Sequence, residues 1–175
     1  MPLVWSETYR LTQESPAGVA GWPMTAVLAF SVSGNARTEF HLGRLRFLIW
    51  QTTMAGNTWA APFLNADLAV DYFLPDVFIP SDFAQMGLLT VRMDASRVLT
   101  LRKNGEQRGQ TIVDAVSDAA WNADLPLGVS MSQVVGDPAD AVLSIAHMAI
   151  FDTALSDDDC FAVETMLAQY SGVTL

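Results

Sequence analysis

DAVLSIAHMAIFDTALSDDDCFAVETMLAQYSG, Asp140 to Gly172, reads as a strand, a short link and one helix. From Ala141 to Phe151 both alternating sets are almost wholly apolar. Val142, Ala146, Met148 and Ile150 form one, and Leu143, Ile145, Ala149 and Phe151 the other. That pattern predicts a central strand covered on both faces. After the link Asp152-Thr153-Ala154-Leu155, Ser156 is a good N-cap, and Asp157, Asp158 and Asp159 occupy the first turn, where the helix dipole favours carboxylates. Cys160, Val163, Met166, Leu167 and Tyr170 recur at helical spacing as an apolar stripe, and Gly172 supplies the stop.

Working outward, the 175 residues fit one domain with a sizeable core. The formal net charge is -10, with one lysine and eight arginines, which argues against nucleic acid and anionic membranes as partners. The one cysteine, Cys160, has no partner for an internal disulfide and reads as a small core residue on the helix stripe. Met1 to Glu7 has neither the basic start nor the apolar run of a signal peptide, and no stretch approaches the roughly 20 apolar residues of a membrane-spanning helix. Charged residues make up only 16% of the chain, against a usual share of about 25%. So sparse a charge favours burial in a subunit interface over life as a free monomer.

Nearer the start, Val4 to Leu11 alternates as an edge strand, and Trp22 to Val32 is a strong apolar strand stopped by Ser33-Gly34-Asn35. Phe40 to Thr53 reads as the next strand, with Leu45, Phe47 and Ile49 alternating against Arg46, Leu48 and Trp50. Met54 to Asn65 is rich in turn formers around Trp59, and Ala66 to Phe73 is a further strand candidate before Pro75 and Pro80. Gly87 to Asp94 sets Leu89, Val91 and Met93 inward and Thr90 and Arg92 outward. Val98 to Lys103 answers it after Ala95-Ser96, and Asn104-Gly105 marks a hairpin because both central positions of a type I′ turn need positive φ. Gln107 to Val113 pairs back, Asp114 to Asn122 is a candidate helical turn, and Leu125 to Met131 alternates as another strand. Many short strands with one helix at the end predict an all-β fold, an antiparallel two-layer sandwich.

Three stretches give this order of elements a family likeness: LLTVRMDASRVLTLRKNG (Leu88 to Gly105), Leu125-Pro126-Leu127-Gly128, and Ser144 to Gly172. Together they resemble the concanavalin A-like lectin and glucanase superfamily, in particular its laminin G-like jelly rolls. The resemblance is good from Leu88 onward and thinner before it. It implies one jelly-roll β-sandwich over residues 1–175, closed by a C-terminal helix. His147 stands where relatives often carry a glutamate.

Enzymes of that superfamily that cut glycans place carboxylates on alternate residues of one strand, so that two acids face one groove. No such run occurs, and Glu7, Glu14, Glu39, Glu106 and Glu164 are scattered and read as solvated surface residues. His41 and His147 lack a partner at metal-ligand spacing, and His147 on a buried strand reads as a hydrogen-bonded core residue. Ser130 and Ser132 sit in no nucleophile motif. A catalytic function therefore finds no support.

Many relatives hold one calcium ion. Asp137 with Asp140, or Asp71 with Asp76, could supply its oxygens, though solvated or capping roles account for these aspartates more simply. For a glycan, Asn57-Thr58-Trp59 and Trp121-Asn122 are the loop stretches that join an aromatic platform to amide groups, set against the plainer reading of tryptophans tucked under their loops. No other cofactor is expected. The resemblance, the sparse charge and the missing signal peptide together imply a non-catalytic structural or adhesive subunit of a phage or phage-like virion, made in the host cytoplasm. Such a subunit would be a homo-oligomer in contact with other virion proteins and with host-surface glycans. The alternative is a free lectin-like module, and a glycan hydrolase or lyase stands behind both.

Overall fold

Met24–Ser33 is the strand around which the molecule is built. In the computed structural model, which describes residues 3–6, 10–13, 23–33, 36–42, 45–51, 60–63, 83–112, 127–133 and 142–175, both of its faces are buried. In chain order the strands are β1 (Leu3–Ser6), β2 (Arg10–Gln13), β3 (Met24–Ser33), β4 (Ala36–Leu42), β5 (Leu45–Gln51) and β6 (Ala60–Phe63). They continue as β7 (Gly87–Met93), β8 (Val98–Lys103), β9 (Glu106–Ile112), β10 (Leu127–Gln133) and β11 (Val142–Phe151), and the helix α1 (Asp157–Ser171) follows. One sheet runs β1-β11-β3-β7-β8-β9 and the other β2-β10-β4-β5-β6, with antiparallel pairing throughout. The expected antiparallel β-sandwich with a C-terminal helix is what the chain forms.

Two layers cover β3. On one side Val27 and Ala29 of β3 and Leu88 of β7 pack under Leu167 and Ala168 of α1. On the other, Ala26, Leu28, Phe30 and Val32 share a face with Leu89, Val91 and Met93, all wholly buried. Phe83 stacks on Phe30 there, with ring centroids 4.4 Å apart. Burying each of its valine, leucine, phenylalanine and methionine side chains contributes about 1.5–3 kcal/mol, so this double-sided strand is the main apolar anchor among the described residues.

The two tight turns follow local chemistry. Asn104 and Gly105 both have positive φ, 47° and 84°, as a type I′ hairpin requires. Asn104 also ties the β8–β9 tip to β7, because its Oδ1 accepts from Leu88 N at 2.8 Å. Between β7 and β8, Arg97 N donates to Asp94 O, and the Asp94 carboxylate accepts from Ser96 N and Val98 N, while Arg97 takes the left-handed conformation.

Several expectations are corrected. β11 is not the doubly covered central strand, since its residues from Ser144 to Phe151 are partly or largely exposed, Met148 by 47%. The cause is position: β1 pairs with β11 only from Val142 to Ile145, and beyond that point β11 has no outer partner among the described residues. Its register also slips between Ile145 and His147, which puts Ala146 and Ala149, of opposite parity, against the same helix-side cluster. His147 is exposed rather than a core histidine. The expected strand Val4 to Leu11 is two strands that belong to different sheets, and Phe40 to Thr53 spans two strands, β4 and β5, folded on each other. The turn-rich Met54 to Asn65 contains β6, an edge strand, which is where a proline such as Pro62 is tolerated. Ala66 to Phe73 and Asp114 to Asn122 lie outside the described residues.

Candidate functional site

Outside the described residues lie the loop positions expected to bind a ligand, Asn57, Trp59, Trp121 and Asn122, and the aspartates considered for calcium, Asp71, Asp76, Asp137 and Asp140. Among the described residues no cluster of His, Cys, Asp and Glu could hold a metal ion. The sheets themselves differ sharply in what they offer.

The register of the five-stranded sheet sorts its residues into two faces. Arg37, Glu39 and His41 of β4 stand opposite Trp50, Leu48 and Arg46 of β5, and opposite Ser132, Ser130 and Gly128 of β10. Arg10 of β2 joins the same row through Ser130. The alternate set is Thr38, Phe40 and Leu42 with Ile49, Phe47 and Leu45, and Met131 and Val129. Partners across an antiparallel ladder belong to one alternating set, so the register groups Arg10, Arg37, Glu39, His41, Arg46 and Trp50 in one set and the apolar residues in the other. In an acidic chain this row gathers three arginines against one glutamate. Guanidinium forks, hydroxyls and an indole are groups that hold carboxylates and sugar rings.

The outer face of the six-stranded sheet is occupied instead by α1. Ser156 caps the helix by accepting from Asp159 N at 3.1 Å, and its hydroxyl donates back to Asp159 Oδ2. The link before it is strapped down by Thr25, whose hydroxyl donates to Thr153 O and accepts from Leu155 N, both at 2.9 Å. Arg92 reaches Leu155 O and the Asp157 carboxylate. Glu164 is buried completely, accepting from Thr90 Oγ1 at 2.6 Å and from Arg102 Nε and Nη2 at 2.9 and 3.1 Å. The hydrogen bond to Glu164 raises the Arg102 guanidinium even further above its ordinary range.

Thr90 and Arg92 therefore point under the helix, not into solvent, and Glu164 is not a surface glutamate. The buried stripe of α1 is Cys160, Glu164, Leu167 and Ala168, while Met166 and Tyr170, expected inside, are exposed. A carboxylate in the stripe rotates the buried face because its partners lie on the sheet. The Thr90, Arg102 and Glu164 cluster is buried and holds the helix to the sheet. Cys160 is buried as expected, and burial pushes its thiol up, which keeps it an unreactive thiol.

The polar row of the five-stranded sheet was missed in the linear sequence, where its members are spread from Arg10 to Ser132. The signal present was local: the alternation Ala36-Arg37-Thr38-Glu39-Phe40-His41-Leu42 marks a half-buried strand.

No protein-family model matches the chain, and no curated protein matches it in sequence. Among solved structures the fold is similar to the ligand binding domain of botulinum neurotoxin serotype D in complex with N-acetylneuraminic acid, at TM-score 0.61 and 13% identity over 98% of this chain and 45% of that one. It is similar to the CBM40 of the Ruminococcus gnavus IT-sialidase, at TM-score 0.54 and 15% identity over 93% of this chain and 98% of that one. A third is botulinum neurotoxin type C, whose cell entry depends on two ganglioside molecules, at TM-score 0.56 and 11% identity over 95% of this chain and 46% of that one. The chain thus spans less than half of each neurotoxin structure and nearly all of the CBM40. At these identities the likeness is one of fold.

Proposed function

We propose that this chain is a non-catalytic glycan-binding β-sandwich that takes acidic sugars on the outer face of its five-stranded sheet. The observation that carries this reading is the row Arg10, Arg37 and Arg46 with Trp50, assembled by strand register in a chain that is otherwise acidic. An arginine fork pairs a sugar carboxylate at two points, and an indole stacks on the apolar face of a pyranose. The fold neighbours support it, since one binds N-acetylneuraminic acid and another is a carbohydrate-binding module of a sialidase. Trp59, which directly precedes β6, and Trp121 with Asn57 and Asn122 would extend such a site from its loops.

Calorimetric titration with α2,3-sialyllactose and with lactose tests the proposal. Binding of the sialylated sugar but not of lactose is expected, with loss on Arg37→Gln, Arg46→Gln or Trp50→Ala and no change in the sugar after prolonged incubation. Equal binding of both sugars, or binding indifferent to all three variants, would overturn it.

A second reading is that the domain does this work as an adhesive subunit of a phage or phage-like virion, as a homo-oligomer among other virion proteins. The low charged share, 16%, and the exposed Met148 on β11 favour it. Light scattering of the purified protein, with and without calcium, checks it. A multimer is expected, and a monomer at high concentration that never copurifies with particles would rule it out.

A further inference from the structure

Phe161, Met166 and Tyr170 stand on the outward side of α1, exposed by 53, 46 and 71%. Ala162, Met166 and Tyr170 form a single i, i+4 row, and Phe161 begins the row beside it. The rings at both ends are supported. Phe161 borders the β8–β9 turn, 3.6 Å from where a Cβ on Gly105 would stand, and the Tyr170 ring centroid lies 5.9 Å from that of His147 on β11. Because Glu164, Arg102 and Thr25 fix the helix and its link to the sheet, these side chains form a held apolar patch and not a loose tail.

The helix that carries the patch holds one sign of charge, with Asp157, Asp158, Asp159 and Glu164 and no lysine or arginine. Every lysine and arginine lies at or before Arg108, and ten of the nineteen acidic residues follow it, so the segment that ends in α1 carries the whole net charge of -10. Asp158 and Asp159 are exposed at the start of the helix, and its last turn has no basic residue.

We propose that the outward face of α1 docks an amphipathic, basic segment of a different protein, its apolar ridge on Met166, Tyr170 and Phe161 and its cations beside Asp158 and Asp159. A second copy fits this face poorly. A parallel crossing would set the aspartates against each other, and an antiparallel one would set them beside a helix C-terminus whose dipole is negative and whose last turn holds no cation. A basic partner satisfies both the patch and the aspartates at the start of the helix.

Fluorescence anisotropy of the full chain with a labelled Leu/Lys peptide patterned as an amphipathic helix tests this, with a Leu/Glu peptide of the same pattern for comparison. The Leu/Lys peptide is expected to bind, and more weakly as salt rises. The joint variant Met166→Glu, Tyr170→Glu is expected to weaken it at least tenfold while circular dichroism and the unfolding midpoint stay in place. This variant is more acidic than the parent, so attraction to net charge alone would make the basic peptide bind tighter. Tighter or unchanged binding overturns the proposal. So does equal binding of the Leu/Glu peptide, as does an Asp158→Lys variant that binds as well as the parent. A parent multimer that the joint variant dissolves would assign the face to a second copy and overturn it too.

Discussion

Arg102 on β8 and Glu164 on α1 meet at two points, Nε to Oε1 at 2.9 Å and Nη2 to Oε2 at 3.1 Å, with the glutamate wholly buried. Arg102 Nη2 also donates to Gly105 O at 2.7 Å, so one guanidinium joins the helix to the hairpin tip. Removing one partner of a buried pair strands the other, at a cost of about 3–5 kcal/mol. Glu164→Ala is therefore expected to lose stability of that order in urea denaturation. The double replacement Arg102→Met, Glu164→Leu is expected to recover most of it, because it leaves no buried charge. The pair then serves to fix where the helix lies more than to add net stability.

Thr25 holds the link that leads into α1, as donor to Thr153 O and acceptor from Leu155 N. Valine keeps the shape and removes both bonds, leaving a backbone N–H and a carbonyl in need of partners. Thr25→Val is expected to cost about 1–3 kcal/mol, and Thr25→Ser, which keeps the hydroxyl, much less. Amide exchange of Leu155 in the valine variant would rise well above the parent rate, a local readout of the freed link.

What could be read in the linear sequence was whatever local chemistry decides. The apolar run of β3, the Asn104-Gly105 turn, the Ser156 cap and the Gly172 stop each depend on neighbours within a few residues, and each was legible. Glu164 was not, because the groups that make its burial affordable, Thr90 and Arg102, lie 74 and 62 residues earlier in the chain. For the same reason Thr90 read as outward-facing, since alternation gives two faces to a strand but not the helix that covers one of them. The register slip after Ile145, which brings Ala146 and Ala149 to one cluster, and the end of the β1 pairing at Ile145, which leaves His147 exposed, are equally invisible to alternation. The polar set of the five-stranded sheet likewise needs the pairing of β2, β4, β5 and β10 before Arg10, Arg37 and Arg46 fall into one alternating set. Periodicity finds faces, and only the register joins them into a site.

Cys160 links stability to alkaline pH. Burial raises its thiol in the folded protein, whereas in the unfolded chain it ionises near about pH 8.5. A folded-state value above the unfolded one means that the contribution is complete below the unfolded value and is lost as pH rises toward the folded one. The unfolding free energy is thus expected to fall above about pH 8.5, and Cys160→Ala to lack that part of the decline. Denaturation curves of the two proteins across that range give the difference directly. The native thiol is expected to resist a thiol reagent until the protein is unfolded, since Cys160 is fully buried.

Gly105 and Gly172 separate backbone conformation from crowding. Both are left-handed, at φ 84° and 70°. A Cβ at Gly172 meets nothing within 4 Å, while one at Gly105 makes only ordinary contact with the Phe161 ring and Glu164 Oε2, at 3.6 and 3.8 Å. Alanine at either site should cost the left-handed penalty alone, roughly 1–2 kcal/mol, and the two losses should match. Asparagine, which tolerates this conformation, should cost less at both. A loss at Gly105→Ala clearly larger than at Gly172→Ala in urea denaturation would mean that the Arg102 bond to Gly105 O has been disturbed. In that case the defect should shrink when Arg102→Met and Glu164→Leu have already removed the clamp, and that double-mutant comparison decides between strain in the turn and damage to the clamp.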